Sequence, residues 1–156
     1  MIIKKYILYM RLVIQRVSFA KVEVEEKLIA EIKNGLLVYC GIGKNDSTED
    51  MDYMAHKLLN LRIFEDSNKK MNLSVLQIKG EILVVSQFTL YGDVSKGFRP
   101  SFIEAKEPVE AKELYEYFLR RLCESPLEIK SGLFGAHMKI VSLNDGPVTI
   151  IMDSVK

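Results

Sequence analysis

The chain has 156 residues, 48% of them apolar, so it can bury one continuous core and is too short for two ordinary domains. Lys and Arg number 22 against 21 Asp and Glu, a balance that excludes gripping a long nucleic-acid duplex by counterion release and leaves only local phosphate contacts. Two cysteines without Cys-x-x-Cys spacing, and two histidines without metal-ligand spacing, argue against a metal site, and Cys40 and Cys123 read as core thiols in a reducing compartment.

Residues 1–9 are apolar apart from two lysines, too short to span a membrane and without a small-residue cleavage site. They read as an N-terminal extension or a misassigned start before a domain at residues 10–156, which places the protein in the cytoplasm with no membrane contact. Residues 12–17, then Val22 and Val24 among charged neighbours, have the period of strands, and Glu26-Lys27 turns the chain into a strand at 28–32. Lys33-Asn34-Gly35 makes the next turn, into residues 36–42, apolar enough for a central strand buried on both faces. Ser47 with Asp50 has the form of a capping box, and Met51, Met54, Ala55, Leu58 and Leu59 predict a helix over 48–61 whose methionines fill core space. Residues 65–70 are polar and turn-rich, 71–74 have no assignable form, and Gly80 opens a buried strand that runs from 82 into Ser86-Gln87-Phe88-Thr89-Leu90.

A loop at 92–100 carries Lys96, Gly97 and Arg99, and Pro108 opens a second amphipathic helix patterned by Ala111, Leu114, Tyr115, Phe118, Leu119 and Leu122. The last apolar runs, 138–143 and 148–152, flank Asn144-Asp145-Gly146-Pro147 and are expected to form a hairpin around 144–146. Proline cannot donate to a ladder, so it belongs at an edge, at the first residue of a strand or at a bulge. The expected fold is α+β, a single domain with a curved, barrel-like antiparallel or mixed β-sheet and two packed amphipathic helices.

Side-chain bases are scarce. His56 lies off the apolar stripe of the first helix and His137 begins a strand; both read as surface residues. Ser86 and Thr89 offer hydroxyls and Gln87 an amide where the aliphatic run ends, a place where binding groups are displayed, although alternation at a fraying strand end would look the same. Thr89 without a base is a poor nucleophile, so catalysis there rests on positioning and on backbone N–H donors to a developing oxyanion.

Ser86-Gln87-Phe88-Thr89-Leu90 and Asn144-Asp145-Gly146-Pro147-Val148-Thr149 together resemble the two signature motifs of the D-aminoacyl-tRNA deacylases. The resemblance runs in order through Gln15-Arg16-Val17, Asn34-Gly35-Leu36-Leu37-Val38, Leu61-Arg62-Ile63-Phe64, Lys70-Met71-Asn72-Leu73, Arg99-Pro100-Ser101-Phe102 and Phe134-Gly135-Ala136-His137-Met138. Lys69 stands where the family often has glycine and His137 where an acidic residue is common, which argues against a catalytic role for His137. The resemblance implies hydrolysis of the ester between a D-amino acid and the 3′ adenosine of tRNA, without a cofactor, and by extension cleavage of glycyl-tRNA.

It also implies a homodimer with sites at the interface, where the Gly146-Pro147 motif of one chain meets the Ser86-Gln87-Phe88-Thr89 motif of the other. On that pattern the Gly146-Pro147 bond is cis with its carbonyls toward the substrate's chiral centre. The Phe88 and Thr89 amides hold the ester carbonyl, while Gln87 and Ser86 order the pocket. The 2′-hydroxyl of the adenosine assists attack, with Thr89 as covalent nucleophile the alternative. Phe134 and Met138 are candidates for an adenine pocket or for the core, and Lys96 and Arg99 for phosphate contacts or solvated charges. Two other readings stand beside this one: a non-catalytic module binding nucleic acid or protein, and a hydrolase of a different small ester.

Overall fold

A computed structural model describes residues 9–154, and the extension read at residues 1–9 lies, Tyr9 apart, outside them. The alternation that suggested two short strands builds one long strand, β1 (Arg11–Val24), bent by register shifts between Gln15 and Val17, Val17 and Phe19, and Val22 and Glu23. Its length gives it three antiparallel partners: β2 (Lys27–Ile32) beside its second half, β3 (Gly35–Gly41) beside its first, and β8 (Lys139–Asp153) along both. β3 pairs in parallel with β6 (Glu81–Ser86), and β6 with β7 (Ile129–Ser131), a short strand that sequence reading passed over. The result is the expected single α+β domain, a mixed sheet nearly closed into a barrel.

Two helices, α1 (Thr48–Asn60) and α2 (Pro108–Cys123), pack on each other and on this sheet. Alternation along β3 and β6 divides the core. Leu36, Val38, Ile82 and Val84 face the helices with Met51, Met54, Leu58, Phe118 and Leu122, whereas Leu37, Leu83 and Val85 join Val17, Val22 and Ile32 inside the curl of the sheet. A β-carbon on Gly35 would sit 1.9 Å from the Glu81 carbonyl oxygen, so only glycine lets the two strands start side by side. The segment without assignable form is β5 (Met71–Ser74), paired with β4 (Arg62–Glu65) in a separate hairpin.

Four expectations need correction. Cys40 is buried, but Cys123 is exposed, because the buried stripe of α2 runs through Ala111, Tyr115, Phe118 and Leu122 and the next residue points away from it. The strand through Ser86 stops there; Phe88–Tyr91 is a 3₁₀ turn. The apolar runs around Gly146-Pro147 are not a hairpin. Both halves of β8 run in one direction along β1, and the motif is extruded between them as a bulge. The strand also begins at Lys139, leaving His137 in the preceding loop. The expected capping box is formed: the Asp50 carboxylate accepts from the Ser47 N–H at 2.9 Å, and the Ser47 side chain accepts from the Asp50 N–H.

Asp46, 7% exposed, anchors the start of β1, accepting from the Met10 N–H at 2.8 Å and the Gly43 N–H at 2.6 Å. Burial pushes its carboxyl up to about 6 against these two bonds, with the Asp50 charge adding to the rise. A carboxyl that holds its proton more tightly folded than unfolded favours the folded state in acid, and that advantage is lost as pH rises from about 4 to about 6. Between pH 4 and 7 the wild type should therefore lose about 1–3 kcal/mol relative to Asp46→Asn. Urea midpoints measured across that range check this, and parallel profiles for the two proteins would refute it.

Candidate active site

A cavity of about 650 Å³ opens where β6 ends, between α2 and the loop leading into β8. The last ladder-like bond of the strand runs from the Gln87 N–H to the Cys40 carbonyl at 2.8 Å, after which the 3₁₀ turn closes through Leu90 N–H to Gln87 O at 3.3 Å. The turn therefore leaves the N–H groups of Phe88 and Thr89 unused by its own bonds, as at any helical N-terminus. Ser86, Gln87 and Phe88 line the cavity, while Thr89 is exposed beside it and its hydroxyl accepts from the Gln87 side-chain amide. Gln87 is the partner of the Thr89 hydroxyl among the described residues, so no base is in place to take its proton.

The wall opposite is aromatic and thioether. Phe134 and Met138, expected to serve either adenine or core, line the cavity, with Phe134 tilted against Tyr115 at a centroid distance of 5.5 Å. Phe102 packs edge-on against Phe88 at 5.1 Å and forms part of the rim. Burial pushes both the Cys40 thiol and the Tyr115 phenol far above their ordinary values, and the Tyr115 hydroxyl donates to the Val84 carbonyl at 3.1 Å. Both groups stay neutral and are spent on structure. The charged groups of the lining are committed too: Glu107 caps α2 through the N–H groups of Val109 and Glu110, and Lys106 binds the Lys44 carbonyl at 3.0 Å. His137 lines the cavity from an exposed position.

Gly146 and Pro147 do not reach this cavity in their own chain. Across the β1–β8 ladder Gln15 pairs with Thr149 and Val17 with Asn144, so four residues of β8 stand opposite Arg16 alone. Both motif residues are exposed, and the peptide between them is cis. Arg16, 7% exposed, fills the space under the bulge: Nε donates to the Asp145 carbonyl at 3.1 Å and Nη1 to the Ile63 carbonyl at 2.9 Å. The Asp145 and Glu65 carboxylates lie 3.8 and 4.0 Å from it. Gly146 has φ +126°, and a β-carbon there would meet Arg16 Nη2 at 2.7 Å. Arg16 was not among the expected site residues, although it breaks the core-facing series Leu12, Ile14 with a charge.

Lys96 and Arg99 lie on the loop beyond the rim and do not line the cavity. No group of three or more His, Cys, Asp and Glu able to hold a metal is found among the described residues. None of their helices is long and apolar enough to cross a membrane.

The family model for D-Tyr-tRNA(Tyr) deacylase matches residues 13–153. A D-aminoacyl-tRNA deacylase of Thermosipho africanus is 57% identical over 147 residues, covering 94% of this chain and 99% of the relative, and one of Aquifex aeolicus is 57% identical over 145 residues, covering 93% and 98%. Among solved structures, the c-Myc DNA Unwinding Element Binding Protein superposes with TM-score 0.89 at 41% identity, covering 94% of this chain and 99% of that one. A probable eukaryotic D-amino acid tRNA deacylase shares the fold, with TM-score 0.80 at 20% identity over 94% of this chain and all of the other. The cavity with its Ser-Gln-Phe rim and the extruded Gly-Pro bulge thus occur in a chain that belongs to the D-Tyr-tRNA(Tyr) deacylase family, hydrolases acting on aminoacyl-tRNA.

Proposed function

We propose that residues 10–156 hydrolyse D-aminoacyl-tRNA in the cytoplasm as a homodimer, with the Gly146-Pro147 bulge of each protomer completing the cavity of the other. One observation supports this reading: the Gly146-Pro147 bulge is exposed and braced by Arg16, and it does not line the cavity of its own chain. Exposed Val141, Leu143 and Ile151 on β8, with Phe19 directly opposite Leu143 and Val13 opposite Ile151, give the apolar face that a second copy would cover.

In this mechanism the terminal adenosine occupies the cavity against Phe134 and Met138, and its ester carbonyl points at the N–H groups of Phe88 and Thr89. Water adds to the carbonyl carbon, the two amides hold the oxyanion, and collapse expels the 3′-oxygen, which leaves with the proton given up by water. The 2′-hydroxyl relays that proton, doing what Cys40, Tyr115 and Glu107 are not free to do. Backbone donors of this kind each contribute about 10²–10³ in rate. Ser86 and Gln87 hold the turn, and Lys96 and Arg99 meet backbone phosphates beyond the adenosine.

Chirality is selected by rejection. Carbonyls of Gly146 and Pro147 beside the α-carbon leave room for hydrogen on one hand only, so an L side chain collides with them, whereas glycyl-tRNA passes and is cleaved. The name of the c-Myc DNA Unwinding Element Binding Protein favours a second reading, a nucleic-acid-binding module. A formal net charge of +1 gives such a module little grip on a duplex.

Single-turnover release of amino acid from matched D-tyrosyl- and L-tyrosyl-tRNA should show rapid loss of the D-ester alone. Loss of both would remove the filter, and loss of neither would leave the binding module. Thr89→Ala should retain activity within about tenfold, since the residue supplies a backbone N–H and no proton transfer; complete loss in a folded, substrate-binding variant would establish a threonine nucleophile. Gly146→Ala, strained at its φ and driven against Arg16, should lose about 100-fold or more while still folding, as a displaced positioning group does.

A further inference from the structure

The loop beyond the cavity rim is built to hold one aromatic ring in solvent. Asp93 and Ser101 exchange two backbone bonds, at 2.8 and 2.9 Å, and clamp the base of the loop. The Asp93 carboxylate accepts from the Ser95 N–H at 2.9 Å and tightens the first turn. Pro100 restricts the return, and Gly97, at φ +93°, takes the chain over the top with nothing near its would-be β-carbon. Phe98 stands next to it at 105% relative exposure.

A fully exposed phenylalanine gives up all the free energy its burial would supply. Its neighbours are cations. Lys96 lies two residues before it, and Arg99, immediately after it, has no side-chain partner among the described residues. A ring between cations is the pattern for single-stranded nucleic acid, with bases stacking on the ring and phosphates meeting the charges. Four residues beyond Phe98, Phe102 is already part of the cavity rim. Extended chain covers at most about 14 Å over that interval, which puts the ring within reach of the next nucleotide or two.

We propose that Phe98 is the stacking platform for the nucleobase on the 5′ side of the terminal adenosine, so that the protein reads the single-stranded end of its substrate outside the cavity. The proposal rests on the deacylase reading above. It gives Phe98 a role in recognising tRNA and none in the hydrolysis of the ester.

The test compares wild type, Phe98→Ala and Phe98→Trp on D-tyrosyl-tRNA and on D-tyrosyl adenosine, the ester of the nucleoside alone. Phe98→Ala should lower kcat/KM on the tRNA by about fivefold or more, through KM, as loss of one base–aromatic stack does. On the nucleoside ester the change should stay within about twofold, since that substrate has no second base to stack. Phe98→Trp should restore the tRNA value. Equal losses on both substrates, no loss on either, or a tryptophan variant as poor as the alanine one would overturn the proposal. So would dissociation of the Phe98→Ala dimer in sedimentation velocity, which would make the ring a contact between copies. A wild type that cleaves neither ester removes the deacylase reading and this proposal with it. A wild type that cleaves both, with no effect of Phe98→Ala, removes the stack alone.

Discussion

The Gly146-Pro147 bulge depends on one buried guanidinium. Four residues of β8 opposite a single residue of β1 leave backbone carbonyls with no ladder partner, and Pro147 has no N–H to offer in exchange. Arg16 answers this from below, donating to the Asp145 carbonyl and, with its other arm, to the Ile63 carbonyl of β4. A buried cation is expensive unless its donors are satisfied, and here satisfying them requires both the bulge and the β4–β5 hairpin to be in place. The far side of the bulge is held by side chains: Asn144 accepts from the Val148 N–H at 3.2 Å, and Asn144 and Gln15 both donate to the Thr149 hydroxyl. The extruded motif is therefore a braced projection of the sheet.

The cavity is fixed by a different device, the two-sided burial of β3 and β6. Strands packed on both faces cannot shift register without exposing one apolar set, so the point where β6 ends is fixed by the core behind it. Gln87 takes the last available carbonyl, that of Cys40, and the chain must then turn. Phe88 and Thr89 thus come to present their N–H groups at a defined place through the packing of Leu36, Val38, Ile82 and Val84, none of which touches the cavity.

These two devices differ in how they appear in a sequence. Alternating and continuous apolar runs announced β1, β3 and β6, and helical spacing announced α1 and α2, because periodic burial leaves a periodic trace. β5 and β7 left none: β5 is a four-residue partner in a hairpin and β7 a three-residue edge strand, too short for a period to show. The Gly-Pro segment was misread as a hairpin because turn residues between two apolar runs fit a hairpin and a wide bulge equally well. Which one forms is decided by β1, long enough to pair with both halves of β8. Arg16 carries the clearest unread signal, a charge at the third core-facing position after Leu12 and Ile14. Its meaning required knowing what lay opposite, 129 residues away. Cys123 shows the reverse error, an apolar residue assigned to the core by type when its helical phase placed it outside.

On the proposed mechanism the chemistry is done mostly by main chain: amides of Phe88 and Thr89 for the oxyanion, carbonyls of Gly146 and Pro147 for the rejected side chain. That choice suits a substrate whose side chain varies. A pocket lined to fit one D-residue would lose the others, whereas a filter at the α-carbon, where all of them are alike, accepts the whole class. It also explains why the cavity can spend its ionisable groups elsewhere, Glu107 on a helix cap and Lys106 on a loop carbonyl. Specificity for tRNA must then come from the nucleotide end, because neither the reacting groups nor a net charge of +1 can supply it. A cavity with an aromatic wall for the terminal base, with cations and a projecting ring beyond it, is the arrangement such a division of labour requires.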